Sequence, residues 1–167
     1  MTKDEVQASK FNLNPGGATA MYDAVYSSCR DRMMSDRGKP LRRVLVILTD
    51  GEDNQSHVGH AAAIAEAQAS GTMIFAINTG GSPLGDKMLE QFALETGGYA
   101  YTPAGAKDVS KEFASIQTKI EQMYVLKYRP DESGRPGEFH AIDLRIVSNR
   151  KLKVYAPKRY YVPTGGQ

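Results

Sequence analysis

The chain has 167 residues, 41% of them hydrophobic, a length that suits one domain with a hydrophobic core. Its 21 basic and 19 acidic residues give a net charge of +2 with no basic stripe, which argues against nucleic-acid binding. Cys29 is the one cysteine, so an internal disulfide is excluded. No run of about 18 apolar residues and no apolar N-terminal signal occur, so we expect a soluble chain without a membrane span or its own export signal.

A first helix is predicted after the turn at residues 14–17. Thr19 is its expected N-cap, and apolar residues at a fourfold spacing give it one buried face. These residues are Met21, Val25, Cys29 and Met33. The segment 37–40 is expected to end the helix.

The segment on which the fold depends is 44–48, with the sequence Val-Leu-Val-Ile-Leu. A run of apolar, mostly β-branched residues predicts a strand buried on both faces of a parallel sheet. In open α/β sheets, ligands bind beyond the carboxyl ends of the strands. The polar residues that follow this strand are therefore the expected functional site: Thr49, Asp50, Glu52, Asp53 and Asn54.

Helices and strands alternate along the next part of the chain. An alanine-rich helix over residues 60–70 is expected to end at Gly71, and residues 72–78 form a second buried strand. The next helix ends at Gly97 and leads into a short third strand over residues 99–102. Its predicted core face is Met88, Leu89, Phe92 and Ala93.

A last helix and a β-rich segment complete the chain. Asp108 is the expected N-cap of a long amphipathic helix, whose core positions have helical spacing. These positions are Val109, Phe113, Ile116, Ile120 and Met123. Alternating apolar and polar residues then predict antiparallel, half-exposed strands over residues 125–128, 141–147 and 152–155.

These elements predict an α/β fold with an incomplete doubly wound, Rossmann-like parallel sheet, helices on both faces, and antiparallel strands at the C-terminus. We assign residues 1–123 to the α/β unit, residues 124–163 to a β-rich extension packed on the same domain, and residues 164–167 to a tail. The extension is not expected to be a separate domain, because about 40 residues rarely form an independent core.

Three ordered motifs resemble the von Willebrand factor A domain. They are Gly17-Ala18-Thr19-Ala20-Met21-Tyr22-Asp23-Ala24, the strand at 44–48 with Thr49-Asp50-Gly51-Glu52-Asp53, and Leu89-Glu90-Gln91-Phe92-Ala93-Leu94-Glu95-Thr96-Gly97-Gly98. The segment Tyr124-Val125-Leu126-Lys127-Tyr128 and the late Tyr160-Tyr161 resemble a bacterial branch of that family, whose members carry extra C-terminal strands and are often exported.

The resemblance implies a protein-binding module with a metal-ion-dependent adhesion site, usually for Mg²⁺. In that site an Asp-x-Ser-x-Ser motif, a Thr and a later Asp hold the ion; Thr19 matches the Thr and Asp50 matches the later Asp. Their hard oxygens suit Mg²⁺. Loops at residues 15–19, 50–59 and 78–83, which we call the rim loops, would face the protein partner.

The chain also departs from the family pattern. No Asp-x-Ser-x-Ser occurs in it, and the opening third of the family's domain is expected to be missing. Because few of the usual ligands remain, the resemblance implies weak or absent Mg²⁺ binding. The missing strand would pair with residues 44–48, so we expect a free apolar edge from Val44 to Leu48. Self-association, residues 1–13 or the C-terminal strands would cover it.

Other roles for the polar residues remain open. Asp50 also fits a loop or capping carboxylate without a metal, and Thr19 a simple N-cap. The run Glu52-Asp53-Asn54 suggests calcium but lacks the spacing of a calcium-binding loop. His57 and His60 lack a third ligand, so we expect them to face solvent.

Two classes of function remain. The favoured one is a non-catalytic, adhesion-type protein-interaction module. The alternative is a metal-assisted hydrolase or phosphotransfer domain that uses Asp50 as ligand or nucleophile. Neither a phosphate-binding glycine loop nor a G-x-S-x-G elbow is present to support the alternative.

Overall fold

The main sheet has three parallel strands in the order β1-β2-β3. The structure is a computed structural model, and it describes residues 18–34, 41–80, 82–128, 134–148 and 152–164. The strands are β1 (Arg43–Thr49), β2 (Thr72–Asn78) and β3 (Ala100–Tyr101). β1 lies in register with β2 along its whole length, from Arg43 opposite Thr72 to Thr49 opposite Asn78.

Helices connect these strands. In the described residues they are α1 (Met21–Ser27), α2 (His60–Ser70), α3 (Pro83–Thr96) and α4 (Val109–Glu121). A π-helical segment (Ser28–Met33) continues α1, and a 3₁₀ turn (Ala106–Asp108) precedes α4. In the described part of the chain, none of the helices has the length and apolar character needed to cross a lipid bilayer.

The core has a layer on each face of the sheet. On one face, α1, α2 and α3 pack against β1 and β2; the fully buried residues there include Cys29, Ala67 and Phe92. On the other face, α4 packs through Ile116 against Phe75 and Ile77 of β2. Helices on both faces of a parallel sheet confirm the predicted α/β, Rossmann-like class.

The N-terminal end of α1 differs from the prediction. Ala20, not Thr19, is the N-cap residue, and its side chain makes no capping hydrogen bond. The cap comes instead from residues that follow β1. Three of the predicted core residues, Met21, Val25 and Cys29, are buried. The predicted end of this helix at residues 37–40 lies outside the described residues.

β1 is less buried than a central strand. Its predicted position, residues 44–48, is confirmed, but Val46 is 36% exposed and Leu48 is 52% exposed. The reason is its place in the sheet, because among the described strands β1 has a neighbour on one side only. The prediction that it is buried on both faces is therefore wrong.

The expected core face of α4 is correct in part. Ile116 is buried, and Val109, Ile120 and Met123 pack at the edge of the same cluster. Phe113 is 46% exposed, so its assignment to the core was wrong. Asp108 is the N-cap residue, but its carboxylate pairs with Lys111 and does not cap the helix.

The C-terminal strands differ most from the prediction. Two short antiparallel strands form, β4 (Phe139–Ala141) and β5 (Arg159–Tyr161). Residues 125–128, 142–147 and 152–155 form no strand. An alternation of apolar and polar residues stabilises a strand only where other residues cover its apolar face. In this part of the chain such cover is missing, since Tyr124 is 94% and Val147 is 93% exposed. β4 and β5 pair with each other, so in the described residues they leave the edge of β1 uncovered.

Candidate functional site

The candidate site lies where β1 and β2 end. The backbone carbonyl of Thr49 accepts a hydrogen bond of 2.8 Å from the amide of Thr79, so the two strands end side by side. The loop that follows β1 spans residues 50–59 and carries the predicted site residue Asp50. Its polar residues therefore lie at the edge of the sheet where α/β folds bind ligands.

Asp50 presents its carboxylate at the surface. Its Oδ1 accepts a 3.1 Å hydrogen bond from the amide of Glu52, and the Thr49 hydroxyl lies 3.5 Å from the same oxygen. In the described residues, its Oδ2 has no protein partner. Glu52 is also exposed. One oxygen of Asp50 thus shapes the turn, and the other is not used by the described residues.

Glycines hold the Asp50 turn against α3. Gly51 has a φ of +83°, which favours glycine, and a Cβ atom there would lie 2.6 Å from the Cα of Gly85. A Cβ atom on Gly85 would lie 2.3 Å from the carbonyl oxygen of Asp50. The backbone of the turn therefore packs directly on the first turn of α3, and this contact fixes the base of Asp50.

Thr19 is attached to the same loop through its backbone. Its amide donates a 2.8 Å hydrogen bond to Oδ1 of Asn54, and its carbonyl accepts hydrogen bonds from the amides of Asn54 and Gln55. The two predicted site residues therefore belong to one rim. No hydrogen bond joins the side chains of Thr19 and Asp50 in the described residues.

Side chains of the loop, although they lie more than 30 residues further along the chain, cap the N-terminus of α1. The Tyr22 amide donates a 2.8 Å hydrogen bond to Oδ2 of Asp53, and the Asp23 amide donates a 3.0 Å hydrogen bond to the Ser56 hydroxyl. That hydroxyl donates to Asp53 at 2.7 Å. These contacts satisfy helix N–H groups that Ala20 leaves without a side-chain cap. We call Asp23, Asp53, Asn54 and Ser56 the rim clamp.

Asp23, which lies in α1, makes the reverse contact by accepting hydrogen bonds from the loop. It accepts hydrogen bonds from the amides of Val58 (2.9 Å) and His57 (3.0 Å) and from Nδ1 of His57 (3.0 Å). The Val58 amide, and then the His57 groups, lower the pKa of Asp23 to about 2. The carboxylate is therefore ionised at neutral pH and holds the loop on α1.

Asp53 is also kept ionised. Partial burial raises its pKa, but hydrogen bonds from Ser56 and from the Tyr22 amide outweigh that effect, and the net pKa is lowered. Asp53 and Asp23 thus differ from Asp50, because their oxygens are already used by backbone amides.

Comparison with known proteins identifies the family. The sequence profile described as the von Willebrand factor type A domain matches residues 2–118, which is well over half of the chain. The chain belongs to the von Willebrand factor type A family. A crystal structure of an uncharacterised membrane-spanning protein from Vibrio fischeri is similar at 17% identity and a TM-score of 0.44, covering 70% of this chain and 64% of that chain. No curated protein matches the chain.

The donors in this von Willebrand factor type A domain fit Mg²⁺ in kind but not in number. A hydroxyl and a carboxylate are hard oxygen ligands, yet Mg²⁺ needs about six oxygens in octahedral geometry. Among the described residues, no group of three or more His, Cys, Asp or Glu side chains is placed to hold a metal. The described residues alone therefore do not make a full site, and the pair Thr19 and Asp50 stays a prediction.

The two rim histidines serve separate roles. His57 is exposed and bound to Asp23, as expected of a surface histidine. His60 is half-buried: its ring lies 4.5 Å from that of Phe92, and its Nε2 is 3.2 Å from the carbonyl of Met88. Burial lowers the pKa of His60, although the contact with Met88 opposes this effect. The prediction that both face solvent is therefore wrong for His60.

Proposed function

We propose that this von Willebrand factor type A domain is a non-catalytic protein-interaction module of the adhesion type. The partner binds the rim loops, of which the structure describes residues 18–19, 50–59, 78–80 and 82–83. The family is compatible with such a role. The observation that carries the proposal is the exposed carboxylate of Asp50, of which only one oxygen is used by the described residues, on a loop held at its start by α3 and further along by α1.

A fixed loop favours binding because little conformational entropy is lost when a partner docks. The rim clamp ties the middle of the loop to α1, and the glycine contacts tie its start to α3. The exposed carboxylates of Asp50 and Glu52 favour a partner that offers basic side chains.

In this proposal a metal makes at most a weak contribution to partner binding. Thr19 and Asp50 are the residues of this chain that would contact Mg²⁺, and two protein ligands compensate poorly for the water that the ion loses. Calorimetric titration is expected to show millimolar or no binding, and Asp50→Asn to abolish any heat. Micromolar binding that survives Asp50→Asn would exclude this metal assignment.

The absence of an enzymatic role is also part of the proposal. In the described residues, the carboxylate of Asp50 contacts a backbone amide and the Thr49 hydroxyl, with no neighbouring group placed as a general base. A panel of esterase and phosphatase substrates tests this directly. We expect no turnover; turnover abolished by Asp50→Ala would establish the hydrolase or phosphotransfer alternative.

The binding role is tested by comparing matched baits. The domain and its Glu52→Arg variant are immobilised beside a control, Gln91→Arg, which places the same charge on an exposed position of α3. We expect a discrete set of proteins to be captured by the native chain and by the control but not by Glu52→Arg. Equal capture by all three would place the binding surface away from the rim.

A second interaction belongs to the same proposal. Among the described residues, β1 has a neighbouring strand on one side only. The edge formed by Val44 to Leu48 associates with another copy of the chain, because an edge strand offers its backbone groups to a second strand.

A further inference from the structure

A cavity lies at the end of the sheet opposite the rim loops. On one side it is bounded by the end of α2 and the start of β2, and on the other by β5 and the residues next to it. Its volume is about 280 Å³, nearly twice that of an engineered apolar cavity of about 150 Å³ that binds benzene. Because β2 runs from Thr72 at the cavity to Asn78 at the rim, the length of a strand separates the two places.

The C-terminal segment contacts the α/β unit beside this cavity. Thr96 forms a β-bridge with Pro157, and the amide of Lys158 donates a 3.1 Å hydrogen bond to the carbonyl of Glu95. A Cβ atom at Gly97 would lie 2.5 Å from the backbone nitrogen of Pro157, so the two segments are in close contact there. The cavity lies next to this contact, where β5 packs against α2. Clefts between packed units are common ligand sites.

The floor of the cavity is formed by Ser70, Thr72 and Thr96, and its polar groups are already paired. The Ser70 hydroxyl lies 2.8 Å from that of Thr72 and donates to the carbonyl of Ala67 at 3.0 Å. The Thr96 hydroxyl donates to the carbonyl of Phe92 at 2.7 Å. None of the three floor residues is more than 3% exposed. Since paired groups gain little from a polar ligand, the floor favours an apolar one.

The outer wall of the cavity combines ring side chains with a cation. The rings belong to Pro157, Tyr160, Tyr161 and Pro163. Arg159 is the one charged residue among the described residues that line the cavity. It is exposed and forms no ion pair within the part of the chain that the structure describes. The wall therefore offers a positive charge beside an apolar space.

We propose that this cavity binds a small aromatic carboxylate. The carboxylate pairs with the guanidinium of Arg159, which can donate two parallel hydrogen bonds to it. The aromatic ring enters the apolar space, where the tyrosine rings favour a flat, apolar partner. The C-terminal end of α2 carries a partial negative charge, so the ring and not the carboxylate lies towards this helix. A compound with two fused rings, such as naphthoate, suits the volume because one ring fills about half of it.

Calorimetric titration with naphthoate tests the site. We expect one molecule bound per chain with a submillimolar Kd, and naphthamide, which has the same rings without the charge, to bind about tenfold more weakly. Arg159→Gln is expected to remove this difference by weakening naphthoate binding. Lys158→Gln is the matched control, because Lys158 is an exposed cation next to Arg159 that does not line the cavity. Absence of naphthoate binding, or equal Kd values for the two variants, would overturn the proposal.

A second measurement locates the ligand. Naphthoate is expected to shift the amide NMR signals of Gly71, Thr72 and Ile142, which line the cavity, and to leave that of Glu52 at the rim unchanged. Ala69→Phe places a ring in the cavity and is expected to abolish binding, with circular dichroism showing that the variant is folded. Shifts centred on the rim, or native affinity in folded Ala69→Phe, would refute the assignment. These measurements do not depend on whether the rim loops bind a protein.

Discussion

At the level of single residues, the acidic side chains of the rim divide into two kinds. Asp23 and Asp53 accept hydrogen bonds from backbone amides across more than 30 residues of sequence, whereas one carboxylate oxygen of Asp50 has no partner among the described residues. The sequence singled out Asp50 because it follows the strand predicted at residues 44–48. It did not predict the rim clamp, because no local signal shows that an Asp in a helix will meet a loop so far along the chain.

The low pKa of Asp23 makes stability depend on pH. Since its folded pKa of about 2 lies below the ordinary value of 3.8, the ionised group stabilises the fold above about pH 4. That contribution is lost as the pH falls towards 2. Urea unfolding from pH 5 to pH 2 is expected to show a smaller loss in Asp23→Asn than in the native chain.

Asp31→Asn is the control for this experiment, because Asp31 is exposed in the π-helical segment that follows α1. It is expected to keep the native pH dependence. If Asp23→Asn and Asp31→Asn lose stability with acid as the native chain does, the role assigned to Asp23 is wrong.

Tyr101 offers a second test at this scale. Its hydroxyl is buried without a partner in the described residues, and burial is the main cause that raises its pKa to about 12. Tyr101→Phe is expected to raise the free energy of unfolding by about 1 kcal/mol, because it removes an unsatisfied polar group. Because a raised tyrosine pKa makes stability fall as the pH rises from 10 towards 12, the variant should also lose less stability over this range than the native chain.

Chemical denaturation at pH 7 measures the first effect, with Tyr124→Phe as the control. Tyr124 is 94% exposed, so its variant should match the native chain. A clear loss of stability in Tyr101→Phe would mean that the hydroxyl makes a favourable contact.

At the level of elements, the helices and strands that have strong local sequence signals were predicted best. α2 and β2 have the predicted bounds because Gly71, with a φ of +66°, separates a helical from a strand pattern. The C-terminal strands were misplaced because alternation does not show which apolar face another element will cover. Tyr155 lies 5.3 Å from the ring of Tyr99, a contact that no periodicity reveals.

The packing of the Asp50 turn on α3 is an element-level prediction. Gly85→Ala would place a methyl group against the carbonyl of Asp50, so either the turn or α3 must move. We expect a loss of about 1–3 kcal/mol in unfolding free energy together with weaker partner binding. Gly105→Ala is the control, because Gly105 lies outside the rim loops and a Cβ atom there would meet nothing within 4 Å. Equal stability of the two variants would show that the turn does not need this contact.

At the level of the whole molecule, the α/β class was predicted from the alternation of strands and helices and the family from three motifs, and both are confirmed. The boundary between residues 123 and 124 stays a prediction. The C-terminal segment contacts the α/β unit: Thr96 forms a β-bridge with Pro157, and the Lys119 ammonium lies 4.7 Å from the centre of the Tyr99 ring and 5.5 Å from that of Tyr155. These contacts join residues far apart in the sequence.

The proposal that the rim loops bind a protein is tested most directly by photo-crosslinking in cells. A photoreactive amino acid replaces Glu52 in one variant and Gln91, on the exposed side of α3, in another. We predict a discrete cross-linked partner from position 52 that is absent from position 91. Cross-linking of one partner from position 91 alone would contradict the account.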